Sequence, residues 1–395
     1  MTKLLAGAAA AALVAGAAHA QDDPVRLGLL LGYTGPIESM VAQMAPAAEA
    51  AIAEVNAAGT LLGGATAEGV RADTGCIDNA LATSNAERLI GEGIDGLIGG
   101  DCSGVTGAVL QTVAIPNGMV MISPSATSPA LSTVEDQSLF FRTAPSDARE
   151  GEVMAQDLID RGFTSAAVTY TNNDFGKGQS DSFVQNFEAL GGEVTIVAAH
   201  EDGRADYSAE VGSLASAGGD ILVVAGYADQ GGLGIIRAAL DTGAFDQFVL
   251  PNGMISDSLT EELGTSLDGS FGQVPGSEGP GAEAFAAIAE EAGFQATGAY
   301  APESYDAAAL FLLAMQKAGS QDPAEYGPMI MEVANAPGEP ILPGELDRAL
   351  QILADGGDVD YQGATGVELV EAGESTGSYR MVEVEGGEFQ TVGFR

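Results

Sequence analysis

The chain has 395 residues, with 56 Asp+Glu against 14 Lys+Arg and a formal net charge of −42 at pH 7. Such a surface repels phosphate backbones and anionic lipid headgroups, which excludes nucleic acid and membrane surfaces as partners. Two histidines and two cysteines leave little from which to build a multi-histidine metal site or a His-based triad.

Lys3, an uncharged stretch from Leu4 to Ala17 and the small-x-small tripeptide Ala18-His19-Ala20 have the layout of a secretory signal, residues 1–20. The apolar run is too short to cross a bilayer, which takes roughly 20 residues. Cleavage after Ala20 predicts a periplasmic chain of 375 residues, about two domains in size. In that oxidising compartment the isolated pair Cys76 and Cys102 reads as a disulfide rather than as a metal or redox site.

Beyond the signal, short apolar runs alternate with longer amphipathic ones, the pattern of an α/β fold. Arg26–Leu31 (RLGLLL) is predicted to be a buried strand, followed by a helix from about Met40 to Ala57 in which Pro46 is a potential kink. Gly69–Asp73, Ile94–Gly99 and Val120–Ser123 follow as strands, with helices at Asn79–Gly91 and from Ser103. After Pro145 the alternation starts again. Helices are predicted at Ala148–Arg161, Phe175–Leu190, Tyr207–Ala217 and Gly232–Asp241, and strands at Ala166–Tyr170, Glu193–Ala198, Asp220–Ala225 and Phe248–Leu250. Helical character returns between Gly281 and Gly319, and from Val359 the chain reads as short strands separated by glycine-rich turns. Two βα series of this length predict two doubly wound, Rossmann-like lobes joined by several short crossings.

Enzyme signatures are not met. The only Gly-Lys pair, Gly176-Lys177, lacks the upstream glycine of a phosphate loop, and Gly226 to Gly234 (GYADQGGLG) does not give the dinucleotide spacing. His200, the one histidine left after processing, follows an apolar strand beside Glu201 and Asp202 and reads as a surface-loop residue. No cofactor and no metal site are expected.

Two polar loops stand out. Gly99–Gly104 (GGDCSG) closes a strand and opens a helix, where unpaired amides and a hydroxyl from Ser103 could meet an anionic group; a plain helix cap at Ser103 is the structural alternative. Ile122–Pro129 (ISPSATSP) places several hydroxyls, stiffened by Pro124 and Pro129, at the end of the next strand. Ligands of open α/β sheets bind at that edge.

The ordered set GYTGPIESMVAQMAPAAEAAIAEVNAAG (32–59), DTGCIDNA (73–80), GGDCSGVTGAV (99–109), MVMISPSATSPALS (119–132), FRTAPSD (141–147), NNDFGKG (172–178), AGYADQGG (225–232), LPNGM (250–254), YAPESYDAA (300–308) and VDYQGATG (359–366) resembles the branched-chain amino acid (Leu/Ile/Val) binding proteins of ABC transporters. The resemblance covers nearly the whole processed chain. It implies the type I periplasmic binding fold, with lobe 1 at 24–146 plus 274–365 and lobe 2 at 147–273 plus 366–395, closing on a ligand like a clamshell. It also implies that Ser103 and Thr127 bind an α-carboxylate, while the Ser125 carbonyl and the Thr127 hydroxyl face the ammonium. Tyr227 is matched to an aromatic of lobe 2 that covers the ligand, and Phe175 and Tyr300 to side-chain-pocket positions. The family's disulfide falls on Cys76 and Cys102.

Three positions depart from the family. Its acidic partner for the ammonium falls on Asn252, which supplies no charge; Asp229, Asp101 or Glu303 are candidates to replace it. Met40 stands where a tyrosine is common, and Asp101 where an apolar residue lines the pocket. These departures point toward a polar or cationic ligand tail as readily as toward leucine. The expected protein is thus a monomeric, non-enzymatic, periplasmic substrate-binding protein that takes an amino-acid-like small molecule and docks on the permease of an ABC transporter. The alternative is a periplasmic sensor for amides or carboxylates that feeds a signalling partner.

Overall fold

The computed structural model describes residues 24–395; the expected signal segment lies outside the described residues. The first five strands are β1 (Val25–Leu31), β2 (Ala67–Asp73), β3 (Gly96–Gly99), β4 (Met121–Ser123) and β5 (Phe140–Pro145). The next five are β6 (Ser165–Thr171), β7 (Glu193–His200), β8 (Ile221–Ala225), β9 (Phe248–Leu250) and β10 (Phe271–Pro275). β11 (Glu339–Ile341) and β12 (Val359–Tyr361) pair with each other, and β13 (Glu374–Ser375), β14 (Tyr379–Glu385) and β15 (Glu388–Phe394) end the chain.

The first large sheet runs β2-β1-β3-β4-β5-β13, with every pairing parallel. The second runs β7-β6-β8-β9-β10-β14-β15, parallel as far as β10 and antiparallel beyond. Strands such as Ile221–Ala225 are buried throughout, as a parallel sheet covered by helices on both faces requires. The α/β class and the two doubly wound lobes are therefore as the alternation predicted. Strand order reverses between β1 and β3 in one sheet and between β6 and β8 in the other. Crevices at the carboxyl ends of such strand pairs are where doubly wound sheets hold ligands.

Helix Ala301–Ala318 is buried from Glu303 to Gln316 and packs on helix Glu38–Ala58, whose Ala47, Ala48 and Ala51 allow close approach. Pro46 lies within a continuous Glu38–Ala58 helix. The chain passes between the sheets after Pro145, after Pro275 and between Ser375 and Tyr379. Glu374–Ser375 belongs to the first sheet, so the last passage lies beyond the 365/366 boundary read from sequence. The glycine-rich run there shows turns but not which sheet a two-residue strand will join. β5, β10 and helix Asp257–Leu263 also escaped the periodicity reading.

His200 corrects the sequence reading. It is the last residue of β7, 1 % exposed, with Nδ1 2.8 Å from Thr169 Oγ1 and a buried Nε2 that has no partner. Burial pushes its pKa down to about 4, so it is neutral. The neighbouring acid that resembled a surface turn, Asp202, instead faces inward, accepting from Gly231 N at 3.0 Å and from the Thr171 hydroxyl.

Candidate ligand-binding cleft

The two switch points face each other across a narrow cavity. Ile37, Met40, Asp101, Cys102, Ser103, Ser125 and Tyr300 line it from the first-sheet side, and Phe175, Tyr227, Asn252 and Gly253 from the second. Eight of the nine ligand residues named from sequence thus meet at one place, although 260 positions separate Met40 from Tyr300. The ninth, Thr127, lies outside the lining, 1 % exposed, with an Oγ1 that has no partner.

The first-sheet side is built by local loops. The Cys76–Cys102 disulfide, S–S 2.05 Å, ties the turn after β2 to the start of helix Ser103–Val109. Ser103 Oγ accepts from Ser128 N at 3.1 Å, which joins the two polar loops and leaves the Ser103 hydrogen free to donate. The Ser125 hydroxyl donates to the Asp101 carbonyl at 3.0 Å. Behind the second loop Arg142, 1 % exposed, donates to the carbonyls of Ala126 and Ser128 at 3.0 Å each, to Ser132 at 2.7 Å and to Glu374. Asp101 lines the cavity, yet Thr74 Oγ1 at 2.8 Å and Gly32 N already donate to its carboxylate; burial raises its pKa.

On the second-sheet side, Asn173 Oδ1 caps helix Asp174–Ala189 by accepting from Gly176 N at 3.0 Å, which seats Phe175 against Tyr227. The two rings stack with centroids 5.0 Å apart. Gly253 is required beside them, because a Cβ there would fall 2.5 Å from Gly226 O and 3.0 Å from the Phe175 ring. Tyr300, opposite, holds a left-handed φ of +61° at the start of helix Ala301–Ala318, a strained conformation of the kind that collects at binding sites.

Asn252 begins the single turn after β9 and is 1 % exposed. Its backbone N donates to Glu150 Oε1 at 2.9 Å. Its Nδ2 donates to Asp147 Oδ1 at 3.0 Å and to Glu150 Oε2. Gln273 Nε2 donates to Glu150 at 2.8 Å and Gln179 Nε2 at 3.0 Å. Sequence reading missed all four of these partners. Ser146-Asp147-x-x-Glu150 reads as the capped, acidic first turn of a helix, and Gln179 and Gln273 come from distant elements. Burial raises the Asp147 carboxyl to about 6, and burial followed by repulsion from Asp147 raises Glu150 well above its ordinary value.

The other acids named as charge sources are committed elsewhere. Asp229 accepts from Ser39 N at 2.9 Å, Ser39 Oγ at 2.8 Å and Ser258 Oγ at 2.5 Å across the mouth of the cleft. Glu303 is buried, with one carboxyl oxygen lacking any partner, and does not line the cavity.

The sequence profile of the periplasmic binding proteins matches residues 24–326. A Leu/Ile/Val-binding protein homologue of Brucella melitensis is 32 % identical over 371 residues, covering 89 % of this chain and 97 % of that protein. A leucine-binding protein structure from Thermotoga maritima superposes with a TM-score of 0.78 at 22 % identity, over 94 % of this chain and 98 % of the other. A solute-binding protein of Rhodopseudomonas palustris, in complex with benzoate, gives 0.75 at 20 % identity, over 94 % and 96 %. At such identities these two likenesses concern the fold.

Proposed function

Since the chain belongs to the periplasmic binding protein family, in its Leu/Ile/Val-binding branch of solute-binding proteins rather than enzymes, we propose that it captures an amino acid of branched-chain type, or a related polar one, for an ABC permease. On this reading the chain is exported, works as a periplasmic monomer after cleavage at Ala20, and closes two lobes by hinging at the three crossings between the sheets. Lobe 1 comprises the first sheet through Pro145 plus the segment from about 276 to Ser375, and lobe 2 the remainder.

The observation that carries the reading is the shared cavity. Eight residues singled out in the sequence converge on it from both sheets, apolar and aromatic side chains with a few polar groups among them, the make-up of a small-molecule site. The free hydroxyl hydrogen of Ser103 and the unpartnered Thr127 Oγ1 suit the α-carboxylate. Ile37, Met40, Phe175, Tyr227 and Tyr300 would surround an apolar or mixed side chain.

An aromatic carboxylate is the second reading, favoured by the stacked Phe175–Tyr227 wall and the uncharged Asn252; benzoate is the ligand of the R. palustris protein. Thermal unfolding with L-leucine, L-isoleucine, L-valine, L-threonine and benzoate separates the two. We expect an amino acid at a hundred times its Kd to stabilise by about 2.7 kcal/mol. Ser103→Ala should weaken that ligand about tenfold, the loss of one charge-assisted hydrogen bond. Stabilisation by benzoate alone would replace the amino-acid reading with the aromatic one.

A further inference from the structure

In a cleft that receives an amino acid, something must balance the buried ammonium, and Asn252 has no charge. Asn252 is nevertheless oriented. Both hydrogens of its Nδ2 are spent on the carboxylates of Asp147 and Glu150, so its Oδ1 is left as the one free polar atom of a side chain that lines the cavity. That atom makes no hydrogen bond within the protein.

The acids behind it form an anion site. Four N–H groups converge on Glu150: Asn252 N, Asn252 Nδ2, Gln179 Nε2 and Gln273 Nε2. These donors lower the Glu150 pKa, but burial and the neighbouring Asp147 outweigh them. Two acids this close share a proton, so the pair holds one negative charge near neutral pH. Arg142 also acts on Asp147 and lowers its pKa, while its guanidinium is paired with Glu374. Thr127 Oγ1 and Asp147 Oδ2, both buried, have no protein partner. Tyr300 and Tyr379, which also face the pair, stay neutral because burial raises their pKa.

We propose that the Asp147–Glu150 pair is the counter-charge for a ligand ammonium, delivered through Asn252, whose Oδ1 accepts the ammonium hydrogen while its Nδ2 is held by the carboxylates. The charge that Asn252 lacks is thus supplied one side chain further back, by residues that touch no ligand and act as positioning residues. This rests on the amino-acid reading and makes the amine a condition for tight binding.

The test compares L-leucine with 4-methylpentanoate, the same skeleton without the amine, by titration calorimetry on the processed protein and on the double variant Asp147→Asn/Glu150→Gln, because either single amide would leave the other acid ionised. Wild type is expected to prefer leucine by at least tenfold. In the double variant leucine should weaken at least tenfold, while 4-methylpentanoate holds or tightens, because an anion no longer meets a negative charge. Equal weakening of both ligands would mean that the two acids only pack Asn252, and would overturn the proposal, as would an unchanged preference. Wild type preferring 4-methylpentanoate would sink the amino-acid reading itself, a distinct outcome. If the double variant fails to fold, as judged by circular dichroism, Asn252→Leu, which removes the relaying oxygen, carries the same expectation and the same power to overturn.

Discussion

The two walls of the cavity are made in opposite ways. The first-lobe wall comes from two loops at the ends of neighbouring strands, with Ser103, Ser125 and Thr127 within 25 positions of one another and held by a disulfide and by Arg142. The second-lobe wall is a polar cluster drawn from four elements, in which Asn252 meets Glu150 over 102 positions and Gln273 meets Glu150 over 123. The first wall shows the Ser103 hydroxyl to a ligand, a donor that suits any carboxylate. The second carries the charge and so separates amino acids from other acids.

The largest expected effect falls on the first wall. Arg142→Met leaves the Ala126 carbonyl without its buried donor, takes one of two donors from Ser128 O and strips Glu374 of its cationic partner. Removing one side of a buried ion pair costs roughly 3–5 kcal/mol, and Glu374 retains enough exposure to favour the lower half of that range. Urea unfolding should register that loss. The Ser125–Ser128 loop should loosen with it, so that leucine and 4-methylpentanoate weaken together and their ratio stays put. A changed ratio would mean that the two walls are not separable.

The same division explains what was legible in the sequence. βα alternation gave the two lobes, because buried parallel strands write themselves as apolar runs. Hydroxyl-rich loops between strand and helix gave the first wall for the same reason, since a local motif carries its own context. Phe175, Tyr227 and Asn252 came only with the family resemblance. Asp147 and Glu150 carried no signal at all: two acids in a first helical turn are ordinary caps until tertiary packing buries them. His200 failed by the mirror image of that error, since acidic neighbours made a buried strand end look exposed. Polar residues are legible when their partners are near in sequence and silent when folding supplies the partners.

Glu303 tests how much the donors around Glu150 matter, because it is a buried acid without them. One of its carboxyl oxygens has no partner, and burial pushes its pKa up to about 8. The folded state holds the proton more tightly than the unfolded chain, whose glutamate titrates near 4.3. The stability this provides is complete below that value and is lost as pH rises through about 8. Glu303→Gln removes the loss, so its stability relative to wild type should improve by roughly 2–4 kcal/mol between pH 5 and pH 8, at about 1.4 kcal/mol per unit. Chemical unfolding at the two pH values reads this directly. Identical differences at both would mean that burial does not raise the Glu303 pKa.

The smallest effect belongs to the seam where the two walls meet. Asp229 of lobe 2 accepts from both the amide and the hydroxyl of Ser39 in lobe 1, and Ser258 steadies its other side. Its own amide donates to Pro36 O at 3.3 Å. None of these groups lines the cavity, so they bear on closure rather than on recognition. Asp229→Ala removes the side-chain contacts only in the closed form, and about 1 kcal/mol of net hydrogen bonding shifts the open–closed balance several-fold. Stopped-flow measurement should find ligand release faster by that factor, with association nearly unchanged, because a closed lid delays escape and not encounter. Leucine and 4-methylpentanoate should be released faster in equal proportion. A faster release of leucine alone would place Asp229, rather than the carboxylates behind Asn252, in contact with the ammonium.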